Sequence, residues 1–216
     1  MTHSIIVFGG QGRTGSEVVL QALAAGHKVS AFTFRNNHTL PEHENLRIIE
    51  GNARDAKQVN AALAGHDTVI NIIAPKLGDS KNYDISVVAT SNILAGMKNQ
   101  GITRYWGQCG AWATDNLSDA SLPMRLGFIF FMPLKHVYAF KKQEDTLVKH
   151  SDLDWIIVRA PLLSNGKLTW PVKVFPNGYK CKFYEIPKIS RASVAKFYIE
   201  NLDNTELIRT CPVILK

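Results

Sequence analysis

The sequence predicts an α/β fold, a Rossmann-type doubly wound and mostly parallel sheet with a small C-terminal substrate-side region. Three observations carry that expectation. A short apolar run from Ile5 to Phe8 ends in a glycine-rich turn and passes into a helix-period pattern. Strand-like and helix-like segments then alternate as far as Arg159, the order that builds parallel βαβ units. The chain has 216 residues, which suits one large α/β domain over residues 1–216 and leaves no clear room for a second.

Composition narrows the function classes. Hydrophobic residues make up 45% and charged residues 20%, an ordinary balance for a packed protein and not one for a disordered chain. The formal net charge is +7, yet the basic residues form no dense block and match no nucleic-acid motif, so no nucleic-acid partner is expected. A basic surface attracts anionic ligands instead. Cys109, Cys181 and Cys211 are widely spaced and fit no zinc or redox spacing, so no metal is expected. The start of the chain runs directly into a core strand, and no apolar stretch reaches the ~20 residues of a membrane helix. The expectation is a cytoplasmic protein without a membrane partner, as monomer or homodimer.

The organising stretch is Gly9-Gly-Gln-Gly-Arg-Thr-Gly15, which fits both Gly10-x-Gly12-x-x-Gly15 and Gly9-x-x-Gly12-x-x-Gly15. Glycines there permit a tight turn, a close approach of backbone N–H groups to a pyrophosphate, and close packing of helix on strand. A helix N-terminus adds unpaired N–H groups and a favourable dipole. Gly9, Gly10, Gly12, Arg13, Thr14 and Gly15 are therefore expected to hold phosphates.

Val18, Val19, Ala22 and Leu23 form the stripe of the first helix, and Gly26 suits its end. Val29 to Phe34 reads as a second buried strand, and Arg35 stands about 20 residues past Gly15. A carboxylate at that place binds the ribose 2′-hydroxyl of NAD, whereas a guanidinium accommodates a 2′-phosphate. Arg35 thus favours NADP(H), with NAD(H) less favoured.

Leu46 to Glu50 is the third strand, and Asp55 can cap the helix carrying Val59, Ala62 and Leu63. Thr68 to Ile73 is the fourth strand, which puts Ala74, Pro75 and Lys76 on the ligand side of the sheet. A helix over Asp84 to Gln100 leads to a fifth strand ending near Gly110. The segment from Ala113 to Leu134 breaks the rhythm, and its apolar half, Met124 to Leu134, reads equally as packed helix or loop, as substrate cover, or as dimer contact. Helical spacing resumes from His136 to His150, and Asp154 to Arg159 makes a sixth strand with Pro161 at its carboxyl end. A strand pair (Lys173 to Phe175 with Lys180 to Tyr184), a helix from Arg191 to Leu202 and a strand from Pro212 to Leu215 close the chain.

With these residues placed, the chain resembles the atypical short-chain dehydrogenase/reductases, in particular small NAD(P)H-binding proteins of the flavin-reductase (biliverdin-IXβ reductase) and NmrA-like groups. Gly9 to Gly15 looks like that family's Gly-Ala-Thr-Gly-x-Thr-Gly turn, and Arg35 matches its 2′-phosphate arginine. Lys141-Lys-Gln-Glu144, Ser151 to Pro161 and Ile189-Ser-Arg-Ala-Ser-Val-Ala195 are similar to its last helix, strand and a membership segment. The resemblance implies NADP(H) binding and NAD(P)H-dependent reduction. It places Asn52 and Ala53 beside the adenine, where relatives commonly have Asp at the first position, and makes Lys141 the usual helix lysine. Gly110 removes the hydroxyl that polarises a carbonyl in standard members, which puts alcohol–ketone chemistry in doubt.

Two kinds of chemistry remain open. Tyr138 and Lys142 have Tyr-x-x-x-Lys spacing, one helical turn apart, and form the candidate catalytic pair for protonating a developing alkoxide. Hydride transfer to a flavin or quinone-like planar acceptor asks mainly for proximity and orientation. For that reading, Cys109, Gly110, Ala111 and Pro161 wall the nicotinamide, and Trp112, Phe130, Phe131 and Trp170 offer an aromatic platform. Cys109 itself reads as a packing residue with no base beside it. The competing expectation is an NmrA-like redox sensor that binds NADP(H) without turnover.

Overall fold

Alternation along the first strand sets the architecture. In β1 (Ser4–Phe8), Ile5 and Val7 join the core on one face of the sheet, and Ile6 and Phe8 join the core on the other. Both faces must therefore be covered, and helices cover them. The computed structural model describes residues 1–35, 39–76, 78–112, 117–130, 132–176 and 178–216, and the side chains of 128, 129 and 132–135 lie outside that description.

The chain continues through α1 (Gly15–Ala24), β2 (Lys28–Thr33), β3 (Leu46–Glu50), α2 (Ala56–Leu63) and β4 (Thr68–Asn71). Then come α3 (Ile85–Gln100), β5 (Arg104–Gly110), α4 (Leu122–Phe130), α5 (Met132–Lys149) and β6 (Asp154–Ala160). The last part holds β7 (Leu162–Ser164), β8 (Lys173–Phe175), β9 (Lys188–Ser190), α6 (Arg191–Glu200) and β10 (Val213–Leu215). Among the described residues, eight strands form one sheet in the order β3-β2-β1-β4-β5-β6-β10-β8. All neighbours run parallel except β10 and β8.

Helix α1 and α6 pack on one face around Val18, Val19, Val194 and Phe197, while α2 and α3 bring Val59, Leu63, Ala89 and Ile93 to the other. Local signals end and start these helices. Asp55 caps α2 by accepting from Lys57 N (2.9 Å) and Gln58 N (3.2 Å). Gly101 closes α3 in the left-handed conformation at φ 69°. Because β1 pairs with β2 on one side and β4 on the other, the chain connections diverge there and leave a crevice at the carboxyl ends of the two strands.

The C-terminal part departs from the sequence expectation. Lys173–Phe175 is a strand, but its partner is β10, with Val213 opposite Phe175. Lys180 to Tyr184 is not a strand. The Glu185 carboxylate takes up that segment as a compact turn, accepting from Tyr179 OH (3.0 Å) and Lys182 N (2.9 Å). The second small sheet is instead the parallel pair β7 and β9. Strand β4 also stops at Asn71, two residues early, because the Asn71 side chain accepts from Ile73 N at 3.2 Å in place of a ladder partner.

Candidate functional site

Two cavities open along the crevice. One of about 600 Å³ lies over Phe32–Phe34 and Gly51–Arg54, and the other, of about 420 Å³, over Gly12–Gly15, Pro75, Lys76, Gln108–Gly110 and Pro161. Gly9, Gly12, Ile72, Ile73 and Ala74 line both, so the two form one trough across the ends of β1 and β4.

The glycine turn is fixed by close contacts. Gly9 has φ +80°, a conformation that disfavours any side chain. A Cβ on Gly15 would lie 2.1 Å from the carbonyl oxygen of Gly9, so only glycine lets α1 start this close to β1. Gly10 departs from the expected phosphate role. It faces the sheet, where a Cβ would meet that of Ala31 at 2.7 Å, and it does not line the trough. The pattern that faces the ligand side is thus Gly9, Gly12 and Gly15.

In the larger cavity Asn52 and Ala53 line the wall as expected. Asn52 Oδ1 accepts from Arg54 N at 3.0 Å, and Arg54 holds Asp84 bidentately at 2.7 and 2.9 Å. That pair ties the loop to the start of α3, and it holds the Asp84 carboxyl below its ordinary range. Arg35 is exposed at the rim. Its guanidinium stands 5.6 Å from the ring centre of Phe34, and Phe34 lines the cavity.

In the smaller cavity α5 presents Lys141. Its Nζ donates to Ile73 O (3.2 Å) and Gln108 O (3.4 Å) and pairs with Glu144 Oε2 at 2.7 Å. The lysine thereby bridges the ends of β4 and β5 at the floor of the trough. Burial pushes the Glu144 carboxyl up, with the Lys141 charge opposing. Beside it, buried Asp145 accepts from Arg159 (2.7 Å) and pairs with Lys149 (2.8 Å). Cys109 lines the cavity, and burial pushes its thiol up, away from the thiolate form that acts as a nucleophile.

Beneath the trough Asn71 Nδ2 donates to Thr90 Oγ1 (2.9 Å) and Tyr105 OH (3.1 Å), fixing the end of β4. Tyr198 OH donates to Gly107 O at 3.0 Å from the opposite face. These buried bonds hold the strand ends whose backbone lines the trough.

Several expected residues lie elsewhere. Tyr138 is half-buried and Lys142 exposed, and neither lines the trough. Adjacent residues on a helix point about 100° apart, so α5 can bring Lys141 or Lys142 to the floor but not both. Trp112 is a core residue rather than a platform: it is 1% exposed, packs with Ala120 and Val213, and donates Nε1–H to Tyr179 O at 2.9 Å. Phe130 is exposed on α4 outside the lining, Trp170 is also outside it, and Phe131 lies outside the described residues. Residues not singled out in advance, Ile72, Ile73, Gln108 and Arg191 among them, also line the smaller cavity. The one sequence signal for Arg191 was its place directly after Ser190, a serine that caps α6.

Comparison with known proteins agrees with this geometry. The model of a family described as NAD(P)H-binding matches residues 9–205. An N-acetyl-alpha-D-glucosaminyl-diphospho-ditrans,octacis-undecaprenol 4-epimerase of Escherichia coli O157:H7 is 29% identical over 106 residues. A 3 beta-hydroxysteroid dehydrogenase/Delta 5-->4-isomerase of Mycobacterium tuberculosis is 31% identical over 111 residues. Each match covers 47% of this chain and only 30% of the relative's length. A short-chain dehydrogenase/reductase from Veillonella parvula, solved in complex with NADP, superposes with TM-score 0.81 at 17% identity, over 100% of this chain and 95% of that one. No helix among the described residues is long and apolar enough to cross a membrane.

Proposed function

The chain belongs to the NAD(P)H-binding family, and from that premise we propose that it is an atypical short-chain dehydrogenase/reductase, an NADPH-preferring reductase acting on a planar, conjugated acceptor. The trough suits a dinucleotide. Gly12, Arg13, Thr14 and Gly15 would hold the pyrophosphate, Asn52 and Ala53 the adenine, and Arg35 the 2′-phosphate from the rim. Ala74, Pro75, Cys109, Gly110 and Pro161 would wall the nicotinamide, and Lys141 would reach its ribose.

One observation carries the acceptor class. Among the described residues that line the smaller cavity the only side-chain hydroxyl is that of Thr14, in the glycine turn. Among the described lining residues no other hydroxyl stands by to protonate an alkoxide, the proton transfer that orthodox carbonyl reduction uses. When bound, NADPH supplies a hydride, and a flavin or quinone takes it into a conjugated ring whose proton comes from water. The chain then needs only to hold the rings together and exclude misalignment. Small walls at Cys109, Gly110 and Ala160 leave room for that stacking.

The test is rapid mixing of NADPH with the protein, with and without FMN and with a quinone as second acceptor. Acceptor-dependent decay of the nicotinamide signal above the protein-free rate is the expected result. Binding without decay for both acceptors would replace this reading with a redox sensor that binds NADP(H) without turnover, a role the same lack of hydroxyls would also suit.

A further inference from the structure

Arg191 is the most informative residue that neither the glycine turn nor the hydride chemistry explains. It occupies the first position of α6, a helix whose cap Ser190 accepts from Ser193 N at 3.1 Å. The β7–β9 ladder sets Ser164 opposite Ser190, which brings Asn165 beside Arg191. Arg191 Nη1 donates to Asn165 Oδ1 at 2.6 Å, so an amide, not a carboxylate, aims the guanidinium.

Arg191, the first residue of α6, and Arg13, just before α1, line the same cavity. Among the described residues neither makes an ion pair, and no acidic residue lines that cavity. Burial and the nearby Arg13 charge both depress the proton affinity of Arg191. Two cations lining one cavity that holds no acidic side chain among the described residues are a receptor for an anion, and two guanidinium groups suit a ligand that carries two negative phosphates.

We propose that Arg13 and Arg191 form a two-armed clamp over the pyrophosphate of the dinucleotide, with Arg191 supplied by the C-terminal unit and positioned by Asn165. This rests on the cofactor reading given above. It assigns the β7–β9 pair a binding role: it carries the second arm to a site otherwise built from the N-terminal half of the sheet.

Calorimetric titration of Arg191→Met and Arg191→Lys with three probes tests the clamp. NADPH carries the whole ligand, ADP-ribose carries the pyrophosphate without nicotinamide or 2′-phosphate, and 2′-AMP carries the 2′-phosphate without a pyrophosphate. Arg191→Met should weaken NADPH and ADP-ribose alike, by about 10- to 100-fold, and leave 2′-AMP unchanged. Arg191→Lys, which keeps the charge but not the fork, should fall between the two. If wild type binds NADPH and Arg191→Met binds it within about twofold of that, the clamp is overturned and the cofactor reading stands. An unchanged NADPH affinity with a raised KM for the acceptor would move Arg191 to the acceptor and overturn the clamp in the same way. An equal loss for 2′-AMP would show a disturbance of the whole crevice and also refute it. Failure of the wild type to bind NADPH would remove the cofactor reading and the clamp with it.

Discussion

Replacing Lys141 with methionine isolates the ion pair at the floor of the trough. Lys141 and Glu144 are 2.7 Å apart with side chains 11% and 6% exposed, so the substitution strands a carboxylate that water cannot reach. Breaking such a pair costs about 3–5 kcal/mol when the remaining charge stays ionised. Protonation of Glu144 sets a ceiling on that cost. Against its ordinary value of 4.5, neutralising the carboxyl takes about 4 kcal/mol at pH 7.5 and about 1.4 kcal/mol at pH 5.5.

Burial raises the Glu144 pKa, so the folded chain holds a proton that the unfolded chain releases. Stability from this group therefore falls as pH rises from 4.5 through the folded value, and Lys141→Met widens that window upward. The variant should melt below wild type at pH 7.5 by up to about 8–16 °C, and the deficit should shrink to about 3–6 °C at pH 5.5. Adding Glu144→Gln should restore most of the loss at pH 7.5, since no charge is then stranded. Thermal melts of the four proteins of this double-mutant cycle at both pH values provide the measurement. A deficit that is the same at both pH values, or that persists in the Glu144→Gln background, would refute the reasoning.

Other substitutions probe the rest of the trough. Gly15→Ala should abolish detectable NADPH binding in a fluorescence titration and cost about 1–3 kcal/mol in urea unfolding, because the new Cβ would sit 2.1 Å from the Gly9 carbonyl oxygen. Normal binding by that variant would mean the turn does not hold phosphates. Arg35→Ala should weaken NADPH far more than NADH in parallel titrations, and equal losses for both would remove Arg35 from the 2′-phosphate. Tyr198→Phe deletes the bond to Gly107 O (3.0 Å) without creating a cavity. It should lower stability by about 1 kcal/mol, or a melting shift of about 2–4 °C, with cofactor affinity retained.

What the sequence made legible was local. The strand–glycine–helix start, the Asp55 cap and the Gly101 terminus rest on residues within a turn of one another, and all three are present. The doubly wound sheet followed from the alternation of periods, and Asn52, Ala74, Pro75, Lys76, Cys109 and Pro161 line the trough because they end strands. What stayed hidden depends on distant pairing. Arg191 reaches the cavity only because β9 pairs with β7, and a three-residue parallel ladder leaves no period to read. Trp112 looked available for a ligand, but its neighbours Val213 and Leu215 are a hundred residues away in the chain. The choice between Lys141 and Lys142 is a matter of helix phase, which two adjacent lysines do not reveal.

Part of the trough wall is main chain: Gly9, Gly12, Gly51, Ala53, Ala74 and Gly110 line it with little or no side chain. A surface of that kind is insensitive to the identity of most residues around it and depends on the path of the backbone. Mutational drift can rewrite the surrounding side chains while the groove for the dinucleotide persists, provided a few glycines are kept. Selection acting on acceptor preference is then free to work on the other side chains of the smaller cavity, Lys76 and Leu163 among them. New reactivities in such a scaffold should arise by exchanging those residues, with the groove itself carried forward unchanged.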